Sequence, residues 1–203
     1  MTTTTAPKYE LLADTITVEG HTLHRIRAVR DFGVVKAGDL GGYVEREDNL
    51  SHDGECWVAD QAKVFDHARV HGDAQIDGEA LVYGTAWVGG RAKVSEHARV
   101  DDHTLVYDDA EVSGEAKVYG DAWVGGRAKV SEHARIYGYA RVYEGACVYG
   151  KAVVYEGAQV YGTAQIGSDA EVGGNTVLTS GIHTGNAAPD ANGSKEAAAA
   201  PGM

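Results

Sequence analysis

The amino-acid sequence predicts an all-β solenoid of short parallel strands, and three observations support that prediction. An aliphatic residue falls on every sixth position from Val58 to Val172. A small residue stands two positions before each of them, and it is alanine everywhere except at Cys56 and Thr104. Glycine, aspartate or glutamate stands two positions after nearly every one. A period of six does not fit the 3.6-residue turn of a helix, so the pattern predicts two-residue strands joined by tight bends.

The chain begins with an arm and a capping segment. Residues 1–8 are rich in threonine, and we predict that they form a mobile arm. In residues 9–55 two β-forming runs flank the turn Glu19-Gly20, which predicts a β-hairpin. The glycine-rich passage 36–42 is predicted to let the chain turn sharply before the repeat. A phosphate-binding loop is not favoured there, because no Lys-Ser/Thr pair follows Gly42.

The solenoid is predicted over residues 56–178. Alternation along each short strand places the alanine and valine inside and the residues beside valine outside. The segment from Glu79 to Arg99 differs from the segment from Glu115 to Arg135 at only two positions, which indicates duplication. After Val172 the pattern decays, and residues 179–203 are small and polar. We therefore predict a disordered C-terminal tail.

Composition excludes several classes of protein. The formal net charge of -12, with lysine and arginine interleaved with acids, argues against a nucleic-acid surface. No apolar run is long enough to span a bilayer, so the sequence predicts no membrane partner and a cytoplasmic or virion-associated location. Cys56 and Cys147 have no metal-site spacing, and we predict free thiols.

Two resemblances add to these predictions. The phrase Val82-Tyr83-Gly84-Thr85-Ala86-Trp87 is similar to the hexapeptide repeat of left-handed parallel β-helices. That resemblance implies left-handed winding and triangular coils of eighteen residues. The stretches 23–38, 41–44 and 49–58 resemble the opening of YdcK-like hexapeptide-repeat proteins of bacteria and bacteriophages. This second resemblance implies such a host context, and some members carry the label of acyltransferase.

Coils of eighteen residues would align the aromatic residues. One outward column contains Phe65, Tyr83, Tyr119, Tyr137 and Tyr155, and a different column contains Trp87 and Trp123. A stacked ladder of this kind stabilises adjacent strands. The same residues also suit a contact surface for a second subunit or another protein, because tyrosine and tryptophan combine apolar area with a polar group. Both interpretations are open at this stage.

Enzymatic alternatives depend on histidine. The acyltransferases that this repeat resembles use a histidine as general base, near a loop that leaves the coil and commonly between subunits. The repeat phase is unbroken from Val58 to Val172, so no such loop is predicted. His97 and His133 are the candidate bases, but both fall at predicted turns of the duplicated unit.

A metal site is also not favoured. Coils of eighteen residues would place His67 and His103 two coils apart, at ~9.6 Å, which is too far to share a zinc ion. His67 and His71 together supply only two ligands. We therefore predict no catalytic residues, no metal site and no cofactor.

The sequence thus predicts a non-enzymatic structural or protein-interaction β-solenoid of a phage or bacterial assembly. A homo-oligomer is expected, with a trimer favoured, or a larger protein assembly. The alternative is an acyl-CoA-dependent acyltransferase with a histidine between subunits.

Overall fold

A computed structural model describes residues 7–185, which form an antiparallel hairpin followed by a β-solenoid. The hairpin consists of β1 (Tyr9–Val18) and β2 (His21–Ala28). Its turn residues Glu19 and Gly20 both have positive φ, as expected for a tight hairpin turn. The predicted hairpin is therefore confirmed.

The solenoid has three faces, and each face is a parallel sheet in the described part of the chain. Face 1 contains β3 (Leu40–Val44), β5 (Lys63–Val64), β8 (Leu81–Val82), β11 (Arg99–Val100), β14 (Lys117–Val118), β17 (Arg135–Ile136), β20 (Val153–Val154) and β23 (Glu171–Val172). Face 2 contains β6 (Arg69–Val70), β9 (Trp87–Val88), β12 (Leu105–Val106), β15 (Trp123–Val124), β18 (Arg141–Val142), β21 (Gln159–Val160) and β24 (Val177–Leu178). Face 3 contains β4 (Trp57–Val58), β7 (Gln75–Ile76), β10 (Lys93–Val94), β13 (Glu111–Val112), β16 (Lys129–Val130), β19 (Cys147–Val148), β22 (Gln165–Ile166) and β25 (Ile182–His183).

The chain visits the faces in turn, so each strand from β4 onward pairs with the strand three places later, and the solenoid has about eight coils. Within the repeat, partners such as Val100 and Val118 lie eighteen residues apart. Residues 7–185 contain no α-helix, only a 3₁₀ turn at Glu47–Asn49. The all-β solenoid is therefore confirmed.

The interior of the solenoid is a column of small and aliphatic side chains. The alanine and valine positions of the repeat have no more than 1% of their surface exposed. Thr104 takes one alanine position, and its hydroxyl donates to the carbonyls of Asp101 and Val118. That bonding explains why one hydroxyl is tolerated among the buried alanines. The predicted inward orientation of alanine and valine is confirmed.

The corners explain why acids alternate with glycine in the turn position. Every residue two places after the aliphatic position has positive φ, for example Glu96 at 60° and Gly114 at 69°. The Glu96 carboxylate accepts a hydrogen bond of 2.7 Å from the backbone N–H of Gly114 in the next coil. Glu156 and Gly174 repeat this contact at 2.7 Å. The acidic residues therefore tie successive corners together.

The solenoid is longer than predicted at both ends. β3 already belongs to face 1, because Val44 pairs in parallel with Val64. The predicted sharp turn is present at Ala37 and Gly38, where Gly38 has a φ of 95°, but the end of the same passage already belongs to the strand Leu40–Val44. Gly41 in this strand makes room for the Trp57 side chain, since a Cβ on Gly41 would lie 2.6 Å from the Trp57 ring. At the other end β25 extends the solenoid into the predicted tail.

The first coil is two residues longer than the others. Val44 pairs with Val64, twenty residues on, whereas Val64 pairs with Val82, eighteen residues on. The extra length lies in the segment 51–56, which follows the bridge between Leu50 and Val70. Lys8 is completely buried against this segment, and its assignment to a mobile arm is wrong. The rest of the predicted arm, residues 1–6, and the tail residues 186–203 lie outside the described residues.

Candidate interaction surface

The tyrosine column of face 1 is a stacked ladder. Tyr119 and Tyr137 have ring centroids 5.0 Å apart, and Tyr137 and Tyr155 have theirs 5.5 Å apart, with nearly parallel planes. Tyr137 is covered by a ring on each side, so its faces are not available for a ligand. The contacts support the interpretation of a ladder that stabilises adjacent strands.

The N-terminal end of the same column is covered by the hairpin. Phe65 is only 2% exposed and packs with Leu23 and Tyr43 in a small cluster. Its ring stacks on Tyr83 at 5.1 Å. Phe65 therefore belongs to the attachment of the cap, and its assignment to an outward contact surface is wrong. The sequence does not show that the hairpin returns over this position.

The tyrosine column is interrupted between Tyr83 and Tyr119, where Asp101 stands, and a hydrogen bond forms at this position. The Tyr83 hydroxyl donates to the carboxylate of Asp101 at 2.6 Å. Burial, followed by this bond, raises the pKa of Tyr83, and burial raises the pKa of Asp101. Tyr83 is thus held between Phe65 and Asp101, which leaves little of it for a partner.

Face 2 has a different character, because its central outward column is apolar and exposed. The column runs Arg69, Trp87, Leu105, Trp123, Arg141 in consecutive register. Trp87 is 45% exposed and Trp123 is 39% exposed. We call these five residues the tryptophan stripe. Exposed tryptophan in a continuous column is typical of a protein contact surface.

The two arginines bracket the stripe. The Arg69 guanidinium lies 5.8 Å from the centre of the Trp87 ring, and that of Arg141 lies 4.8 Å from the centre of the Trp123 ring. These cation–π contacts hold each indole in place. The stripe is therefore an ordered surface with charge at its ends and apolar area at its centre.

Glycines make room for rings beside the stripe. The Tyr107 side chain leans over the next coil, where a Cβ on Gly125 would lie 2.7 Å from its Cε1 atom. The same ring meets Trp123 edge-on at 6.4 Å. One duplicated unit earlier, His71 lies over Gly89 and meets Trp87 at 5.3 Å. Each tryptophan is thus supported by a ring that rests on a glycine.

This arrangement makes a prediction about Gly125. We expect Gly125→Ala to destabilise the protein by roughly 1–3 kcal/mol, because the added methyl group displaces the Tyr107 ring. In a Tyr107→Ala background the same change should cost less than about 0.5 kcal/mol. Thermal or denaturant unfolding of the four proteins measures this double-mutant cycle. If Gly125→Ala destabilised the protein equally in both backgrounds, the Tyr107 ring would not depend on the missing side chain at Gly125.

The candidate histidines lie at an exposed corner between faces 3 and 1. His97 Nδ1 lies 3.7 Å from Glu79 Oε2, and His133 Nδ1 lies 3.2 Å from Glu115 Oε2. Both rings are more than half exposed. Each therefore contacts one surface carboxylate of the preceding coil, which is an arrangement of solvated corner residues.

The structure also gives the surroundings of the metal candidates. The guanidinium Nη2 of Arg46 lies 3.1 Å from His67 Nδ1. Among residues 7–185 no three His, Cys, Asp or Glu side chains form a group that could hold a metal ion.

A hollow at the start of face 2 is a feature that the sequence does not predict. Its volume is about 600 Å³, and His52, His71, Arg69 and Trp87 contribute to its wall. His52 Nδ1 accepts a hydrogen bond of 3.2 Å from the backbone N–H of Lys8, which places the ring proton on Nε2. Burial lowers the pKa of His52, a direction that agrees with a ring that accepts a hydrogen bond at Nδ1.

The hollow arises from the longer first coil. Its only sequence signal is the interval of eight residues between Leu50 and Val58, in a chain that otherwise repeats every six.

One stretch of the chain is similar to a known protein. No protein-family model matches the chain. A stretch of 39 residues is 46% identical to a protein of Escherichia coli strain K12 named "Uncharacterized acetyltransferase YdcK". The match covers 19% of this chain and 12% of that protein. No helix in the described residues is long and apolar enough to cross a membrane. The partial match and the solenoid together fit a hexapeptide-repeat β-helix protein.

Proposed function

We propose that this chain is a non-enzymatic β-solenoid that acts as a structural or interaction module, and that the tryptophan stripe is its contact surface. The observation that carries the proposal is the exposure of Trp87 and Trp123 in one ordered column. The bacterial or bacteriophage context that the resemblance implies is part of the proposal.

A second copy of the chain is the partner that the stripe fits. The order Arg, Trp, Leu, Trp, Arg is symmetric about Leu105. Two antiparallel copies would place Leu105 on itself and Trp87 opposite the partner's Trp123. A symmetric surface of this kind suits an isologous interface. It therefore favours a two-fold pair over the expected trimer, with the arginines at the ends, where water screens their charge.

The acyltransferase alternative is supported by the name of the matched E. coli protein. Three observations favour the structural proposal instead. The register of the strands is continuous from β4 to β23, which leaves no loop outside the coil. His97 and His133 contact only one carboxylate each in the described contacts. The Nδ1 lone pair of His52, a residue of the hollow, already accepts a hydrogen bond from the backbone N–H of Lys8.

Calorimetry with acetyl-CoA separates the two functions. We expect no saturable heat of binding to the wild-type chain at micromolar concentration. The variants His97→Ala and His133→Ala test the candidate bases, and His103→Ala is the matched control at another exposed corner. If the wild type bound acetyl-CoA saturably, and either variant abolished that binding while the control kept it, the structural proposal would be overturned.

A further inference from the structure

Lys8 and Cys56 form a buried pair of nucleophilic side chains. Neither residue has any exposed surface. The Lys8 Nζ atom lies 3.2 Å from Cys56 Sγ, 2.8 Å from the Cys56 carbonyl oxygen and 3.3 Å from the Gly54 carbonyl oxygen. This pair lies where the cap meets the longer first coil, and the proposed function does not use it.

Burial of the pair disfavours charge on both the amine and the thiol. Burial lowers the pKa of Lys8 and raises the pKa of Cys56. Arg30 also lowers the pKa of Lys8, whereas Asp53 and Cys56 act in the opposite direction. The Lys8 Nζ atom donates to the two carbonyl oxygens and to the thiol sulfur. The nitrogen and the sulfur are therefore in direct contact, with no other side chain between them.

We propose that Lys8 and Cys56 are a site of oxidative cross-linking, in which one oxygen atom joins Nζ to Sγ. Dioxygen is the oxidant. The S–H bond and one N–H bond break, an N–O bond and an O–S bond form, and the second oxygen atom leaves as water with the two hydrogens. Nitrogen and sulfur lose two electrons each, and dioxygen accepts the four. Two molecules of a dithiol return four electrons and restore the amine, the thiol and water.

The geometry favours this product over two others. A direct N–S bond would need the two atoms to approach much closer than the 3.2 Å that separates them, whereas one inserted atom needs a smaller movement. A disulfide within the chain is excluded, because Cys147 belongs to β19, five coils beyond β4 on face 3. The cross-link is thus the oxidation product that fits the native structure.

The cross-link would fasten the cap to the solenoid. Lys8 directly precedes β1 and lies 48 residues from Cys56 in sequence. A covalent bond that closes a loop of this length restricts the unfolded chain, as a disulfide does. The oxidised protein should therefore unfold at a higher temperature than the reduced protein.

The test compares the full chain kept under anaerobic reducing conditions with the same preparation exposed to air. In the aerated sample we expect the intact mass to increase by the mass of one oxygen atom minus the mass of two hydrogen atoms. Trypsin should then fail to cleave after Lys8, and the peptides that contain Lys8 and Cys56 should appear as one species. Dithiothreitol should reverse the mass change and lower the thermal midpoint by several degrees.

Three variants locate the bond. Cys147→Ser should still acquire the mass change, whereas Cys56→Ser and Lys8→Arg should not. The wild-type comparison decides the question even if a variant fails to fold. An aerated wild type with two titratable thiols and unchanged mass would overturn the proposal. An aerated wild type that has lost two hydrogens without gaining oxygen would also overturn the proposal. So would oxygen added to Cys56 in a protein that trypsin still cleaves after Lys8. Equal thermal midpoints of the aerated and reduced proteins would refute the stabilising effect.

Discussion

Val118→Asp should prevent the protein from folding in soluble form. Val118 lies in the middle of face 1, is fully buried, and stacks between Val100 and Ile136. The substitution removes about 1.5–3 kcal/mol of apolar burial. It also places a carboxylate among aliphatic side chains, which costs several further kcal/mol. Together these losses are comparable with the ~5–15 kcal/mol that stabilises a typical domain. Expression followed by fractionation and circular dichroism measures the outcome.

The neighbouring residue provides the matched control. Lys117 lies on the same strand but faces outward, and its register partners are Arg99 and Arg135. Lys117→Asp adds the same carboxylate between two cations, so we expect a change within about 0.5 kcal/mol. If Val118→Asp were expressed normally with an unchanged thermal midpoint, the structural role assigned to the aliphatic column would be wrong.

Leu105→Asp should dissociate the proposed oligomer without unfolding the chain. Leu105 is half-buried at the centre of the tryptophan stripe, between Trp87 and Trp123. In a two-fold pair the substitution would bring two carboxylates together at the centre of an apolar contact. Central contacts of this kind are worth ~2 kcal/mol or more, which corresponds to at least tenfold weaker association. Light scattering coupled to size-exclusion chromatography, over a range of concentrations, measures the shift.

Leu81→Asp is the control for this experiment. Leu81 occupies the equivalent outward position on face 1, where its register partners are Lys63 and Arg99. We expect its oligomeric state to equal that of the wild type. A wild type that is monomeric at high concentration would contradict the proposed homo-oligomer. An oligomer that persists in Leu105→Asp would show that the contact between subunits lies on another face.

Much of the solenoid can be predicted from local pattern. The aliphatic residue at every sixth position predicts the strands, their inward side and the absence of helix, and the structure agrees from Val58 to Val172. Glu19-Gly20 likewise predicts the hairpin turn. These features are predictable because each coil contacts only its neighbours, so the same spacing has the same structural meaning in every repeat.

The candidate surface was predictable only in part. The two tryptophans lie on an exposed column, but Phe65 is covered by the hairpin, and the tyrosine rings cover one another. Exposure depends on which side chain leans over the next coil and on whether a glycine receives it, as Gly125 receives Tyr107. The hexapeptide pattern does not show toward which neighbouring coil an outward side chain leans.

The repeat alone is enough to predict the solenoid, its buried column and its turns, because those features repeat every six residues and depend on near neighbours. The first coil is different. Its strand β3, its longer segment 51–56 and the burial of Lys8 against Cys56 become visible only in the folded chain. Val44 pairs with a residue twenty positions away, and Lys8 contacts a residue forty-eight positions away. Neither spacing follows the eighteen-residue coil, so the repeat does not predict these contacts.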